Sequence, residues 1–112
     1  MNKSDCKCNR YPFKPTEPCY NVCTGNILSY VEPDILASIF AVPGNIAEKI
    51  RNLNLDVNFK AETKTLEDYK SVLDPAEFSQ LDNIFSNLNS KALAWLNTNM
   101  GIETEVRVPV YS

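Results

Sequence analysis

There is no histidine anywhere in the 112 residues. Its absence removes Ser-His and Cys-His nucleophile pairs, imidazole metal ligands and the side chain best suited to proton transfer near neutral pH. Glycine is nearly as scarce. With only Gly25, Gly44 and Gly101, the chain cannot build a phosphate-cradling loop or a dinucleotide fingerprint. No apolar run is long enough to span a bilayer, so no membrane role is expected. Carboxylate pairs such as Glu67-Asp68, or Glu103 with Glu105, have no pocket signal beside them and read as solvated faces. These absences point away from an enzyme.

Cysteine is missing too, but only after residue 23. All four cysteines, Cys6, Cys8, Cys19 and Cys23, fall in the first 23 residues with the spacing C-x-C-x10-C-x3-C. Two close pairs joined by a loop are an economical way to bring four thiolates to one tetrahedral ion, since only one loop must be closed. The N-terminus, Met-Asn-Lys-Ser-Asp-Cys, has no apolar run after its basic residue, so no signal peptide is expected and a reducing, cytoplasmic setting is the default. That setting disfavours bridges. Cys6 and Cys8 are also too close for an unstrained bond to each other, although Cys19 is able to reach either of them, or Cys23 if the two share a helical turn. The leading expectation is a metal site made by all four thiolates, with disulfides and then free or redox-active thiols behind it. Zinc is the expected ion, and an iron–sulfur cluster is the alternative for the same four ligands.

Between the pairs lie Pro12, Pro15 and Pro18, a three-residue period that puts them on one face of a polyproline II helix. A stiff loop of that kind lowers the entropy of closing the site. The alternative is a P-x-x-P ligand flanked by Arg10 and Lys14. The charge is unevenly spread: residues 1–23 carry four Lys/Arg against two Asp/Glu, and the remaining residues seven against twelve, for a net charge of -3. An acidic body repels phosphate backbones, so nucleic acid is a disfavoured partner.

The length suits one domain, and 44% hydrophobic residues suffice for a modest core. Ile27-Leu28-Ser29-Tyr30-Val31 reads as a short strand or as the end of a helix begun near Cys19. Pro33 then opens the apolar run from Ile35 to Ala41, a turn follows at Val42-Pro43-Gly44, and Ile46, Ala47, Ile50 and Leu53 recur at helical spacing. With Ala37, Ala41, Val42 and Ile50 at its small and apolar positions, the hairpin over residues 36–50 resembles the DNA-binding helix-turn-helix. The resemblance implies that Pro43, Gly44, Asn45, Glu48 and Lys49 would face bases. Only Asn45 and Lys49 suit that task, and Glu48 opposes it. Val-Pro-Gly is also similar to the turn of helix-hairpin-helix modules, but Ile46 replaces the second glycine. An ordinary helical corner is the reading adopted.

Leu53, Leu55, Val57, Phe59 and Ala61 then alternate with polar residues, predicting a half-buried strand. Ile102, Val106, Val108 and Val110 alternate in the same way, and Pro109 confines that segment to an edge. Two helices are expected between them. One starts at Thr65, and a longer one starts at Asp74-Pro75-Ala76-Glu77, carries a stripe from Phe78 to Trp95, has a possible break at Asn89-Ser90 and ends at Gly101.

The expected fold is therefore α+β and mostly helical: a helical hairpin, a long C-terminal helix, a small two-stranded sheet and an N-terminal four-cysteine metal-binding segment. Residues 1–31 form that segment, and residues 32–112 form a small helical body with edge strands. The expected function is a non-catalytic interaction or assembly module with structural zinc, engaging a protein partner or a second copy of itself. The alternatives are a small helix-turn-helix-like regulator with metal- or redox-sensing cysteines, or an iron–sulfur electron carrier.

Overall fold

The computed structural model describes residues 6–59 and 65–104. Within them the chain is mostly helical. Helix α1 spans Tyr20–Tyr30, α2 Pro33–Ser38, α3 Gly44–Leu55, α4 Pro75–Ser86 and α5 Ser90–Met100, with a 3₁₀ helix at Leu66–Ser71 between α3 and α4. The apolar stretch at residues 27–31 is thus the end of a helix rather than a strand. It stops because Glu32 precedes Pro33 and takes an extended conformation, ψ 150°, as the proline ring requires.

Local hydrogen-bond chemistry places the later starts. Thr65 and Asp68 form a reciprocal capping box, with the Thr65 N–H donating to Asp68 Oδ2 at 2.6 Å. Asp74 and Glu77 do the same at α4, with Pro75 in the first turn. The expected long C-terminal helix is two helices. Asn89 accepts from the Ala92 N–H at 2.8 Å and caps α5, and Gly101 ends it in the left-handed conformation at φ 67°.

Among the described residues, the small sheet anticipated between residues 53–61 and 102–110 is not supported. Leu53 and Leu55 are the last turn of α3, because the helical stripe Ile46, Ala47, Ile50 and Leu53 runs straight through the start of the alternating segment and buries only Leu53 of it. Ala61, Val106, Val108 and Val110 lie outside the described residues. The only extended pairing described is a two-residue parallel rung, β1 (Arg10–Tyr11) beside β2 (Glu103–Thr104). It ties the N-terminal arm to the end of α5.

One core runs through the molecule. Tyr11, Tyr20, Cys23, Ile27 and Leu28 from the N-terminal third share a cluster with Leu36, Ile50, Leu66, Tyr69, Leu81, Phe85, Leu96 and Ile102. Its buried polar groups are paired, as burial demands. The Tyr11 hydroxyl bonds Thr24 Oγ1, Tyr20 donates to the Asp82 carbonyl at 2.8 Å, and Tyr69 donates to Asn54 Oδ1 at 2.9 Å. Asn54 in turn donates to the Leu28 carbonyl at 3.0 Å. Burial pushes all three phenols up from their ordinary value of 10.0, so they remain hydroxyl donors well into alkaline solution. Gly25 sits where α1 crosses the start of the 3₁₀ helix, and an added Cβ would lie within 2.7 Å of the backbone N, Cα and C of Thr65.

Candidate functional site

The four cysteines do come together, but as two disulfides rather than as a metal site. Cys6 is bonded to Cys19 and Cys8 to Cys23, with Cα–Cα distances of 5.3 and 5.4 Å, inside the range a bridge requires. No cysteine is left free, and no metal-holding cluster of His, Cys, Asp or Glu occurs among the described residues. The zinc site expected at Cys6, Cys8, Cys19 and Cys23, and the iron–sulfur alternative, are both overturned by this pairing, because sulfurs bonded to each other are not thiolate ligands.

The spacing explains the pairing. Extended chain advances about 6.6 Å over two residues and returns its side chains to the same side. A helix advances about 6 Å over four residues, again on one face. A C-x-C arm laid alongside a C-x3-C turn therefore meets both partners in register. Cys19 and Cys23 are such a turn, with the Cys23 N–H donating to the Cys19 carbonyl at 2.9 Å. The proline loop is not a polyproline II rod. It folds back in consecutive turns, with Glu17 N–H bonded to the Lys14 carbonyl and Tyr20 N–H to the Glu17 carbonyl. Arg10 pairs with Glu17 at 3.6 Å and lies over the Phe13 ring at 5.7 Å.

The helical hairpin holds a second arrangement. Asn45 Nδ2 donates to Glu77 Oε2 at 2.7 Å, and Lys49 Nζ to Glu77 Oε1 at 2.7 Å, while Oε1 also accepts the capping N–H of Asp74 at 3.0 Å. The two residues best suited to reading bases are therefore both bound to a carboxylate of α4. Lys49 holds the Glu77 carboxyl below its ordinary 4.5, and Glu77 raises the Lys49 ammonium above its ordinary 10.5.

On another side of the hairpin, the end of α1 with α2 and α3 encloses a solvent-open groove of about 840 Å³. Its walls include Ala37, Gly44 and Ala47, small side chains that leave the space unfilled, and nothing lies within 4 Å of where a Cβ on Gly44 would sit. Two large apolar side chains stand at its rim, Tyr30 at 76% exposure and Leu55 at 67%, and Val57, two residues further along the chain, is 95% exposed. Tyr30 also borders a smaller cleft of about 410 Å³ with Trp95 and Met100. The sequence places Leu55 and Val57 in a strand and Trp95 and Met100 in a core stripe, and leaves Tyr30 in a short strand or the end of a helix. The missing signal for Leu55 and Val57 is that α3 continues to Leu55, which turns Leu55 away from the buried stripe and leaves Val57 beyond the helix end. Compared with known protein families, curated proteins and solved structures, the chain finds no match.

Proposed function

We propose that the chain is a non-catalytic docking module, stapled by disulfides and working in an oxidising compartment rather than the cytoplasm expected from its N-terminus. The observation that carries this reading is the exposed apolar rim. Single exposed apolar residues are ordinary, but Tyr30 and Leu55 both line one open groove, and grouped exposure of that kind marks an interaction surface. The compartment follows from the cysteines, since paired disulfides persist where thiols are oxidised. All four are consumed in fixing the N-terminal arm to α1, which supports a scaffolding use of sulfur over a reactive one. No helix among the described residues is long and apolar enough to cross a membrane.

The test is site-specific photo-crosslinking in the cells that make the protein. A photoreactive residue at position 55 should capture a second protein, and the adduct should vanish with Tyr30→Ser. The same residue at Gln80, exposed on α4 and away from both clefts, should capture none. Equal yields at the two positions would refute the docking reading.

A further inference from the structure

We propose that the groove between α1, α2 and α3 receives an amphipathic helical segment of a partner protein, one that carries Lys or Arg beside its apolar stripe. This rests on the docking reading above and names the partner's chemistry. The walls of the groove carry Glu32 and Asp34 at the start of α2 and Glu48 and Arg51 on α3, three carboxylates against one guanidinium. All four side chains are exposed. None makes an ion pair or side-chain hydrogen bond among the described residues, where the only ion pairs are Arg10–Glu17 and Lys49–Glu77. A surface that places excess negative charge around an apolar rim is complementary to cations flanking an apolar stripe, and such complementarity selects partners and speeds their encounter.

Shape narrows the occupant further. The groove is open to solvent, whereas a small-molecule site encloses most of its ligand. The walls described are helices, so an incoming segment finds no strand edge to extend there by main-chain bonding. The remaining mode is an apolar helix face laid into a groove, with side chains spaced three and four apart as anchors. Small walls at Ala37, Gly44 and Ala47 leave volume for those anchors, and Tyr30 and Leu55 supply the contact at the rim.

The experiment uses the oxidised full chain and three synthetic 18-residue helical peptides that share one leucine stripe and differ only in their polar residues: lysine, glutamine or glutamate. Binding is followed by backbone amide shifts and by the fluorescence of Trp95, the single tryptophan, which borders the adjoining cleft. The lysine peptide should bind at least about tenfold more tightly than the glutamine peptide at low salt, and the advantage should shrink as salt screens it. Shifts should centre on residues 30, 48, 51 and 55. The exposed triple variant E32Q/D34N/E48Q should lose the lysine preference but keep glutamine-peptide binding, and Y30S/L55S should lose both.

Equal affinity for lysine and glutamine peptides, or shifts centred elsewhere, would overturn the assignment of partner charge while leaving a docking surface. Concentration-dependent dimers abolished by Y30S/L55S would make a second copy the occupant, and rim-dependent binding to neutral lipid vesicles would make it a lipid surface. Either result overturns the proposal. If no peptide binds and position 55 crosslinks nothing, the docking reading falls with it.

Discussion

Replacing Gly25 by alanine should unfold this protein more readily, although in an isolated helix the same change is favourable by about 1 kcal/mol. The reason is the backbone of Thr65. Ordinary carbon contacts lie at about 3.5–4 Å, and the new methyl would stand within 2.7 Å of three Thr65 main-chain atoms. The crossing of α1 over the 3₁₀ helix must then open by about 1 Å, and neither side can yield by a rotamer change. Overpacking of this kind costs roughly 1–3 kcal/mol, with the upper end expected where both surfaces are backbone. Subtracting the helical gain leaves a net loss of about 2 kcal/mol, a large share of the 5–15 kcal/mol that holds a domain together. Urea denaturation of the oxidised protein should show the midpoint falling by roughly 1 M or more, for a slope of about 1–2 kcal/mol per M. Gly44→Ala is the matched control. It opens α3 with nothing near its Cβ position, so it should leave the stability unchanged or raise it by up to about 1 kcal/mol. A Gly25→Ala protein as stable as wild type would refute the account of the crossing.

Other outcomes follow from bonds already described. Thiol titration in denaturant without reductant should detect none of the four cysteines, and reduction should cost about 3–5 kcal/mol, since loops of 13 and 15 residues are each worth about 3 by chain entropy but overlap; full thiol reactivity before reduction would contradict the pairing. Tyr69→Phe should cost about 1 kcal/mol in thermal or urea unfolding, by breaking the chain from Tyr69 through Asn54 to Leu28; an unchanged midpoint would show that this chain does not contribute. Glu77→Gln should destabilise at neutral pH, and its deficit should shrink below about pH 4.5. A carboxyl held below its ordinary value contributes while ionised and stops contributing as pH falls through its folded value. A deficit constant across pH 3–7, measured by urea midpoints, would show the ion pair to be idle. Above about pH 10 the raised phenols of Tyr11, Tyr20 and Tyr69 reverse the sign: their stabilisation is complete below the unfolded value and drains away as pH rises toward the folded one. Alkaline unfolding should therefore accompany tyrosinate absorption, and a chain that ionised all five tyrosines at pH 10 while still folded would contradict their burial.

Legibility in the sequence tracked how local the governing chemistry is. The cap at Thr65, the box Asp74–Glu77 and the stop at Gly101 are settled within four residues and can be read directly, while Asp68, which reads as part of a solvated face, in fact closes a box with Thr65. The alternation from Leu53 to Ala61 misled because a helical stripe and a strand pattern overlap at Leu53 and Leu55, and the longer stripe packed against the core prevails. The position of the sulfurs was plain, but their bonding was not, since the same four residues satisfy either a tetrahedral ion or two bridges. What separates the outcomes is a length match between an extended pair and a helical one, and this becomes visible only once α1 is known to begin at Tyr20. The hairpin's Asn45 and Lys49 stand out in the sequence as polar residues after the turn, yet their engagement by Glu77, 32 and 28 residues away, has no local signature.

The paired staple also makes some mutations far less tolerable than others. Adding one residue between Cys6 and Cys8 would turn the second thiol to the opposite side of the arm, and moving Cys23 by one position would swing it about 100° around α1; either change keeps every cysteine and forfeits a bond. The exposed part of the stretch between Phe13 and Cys19 is under no such rule, because lengthening a loop costs only about 0.6 kcal/mol per doubling. Across any set of natural variants, insertions and deletions should therefore gather between the second and third cysteines, while the one- and three-residue gaps stay constant even as the residues filling them change.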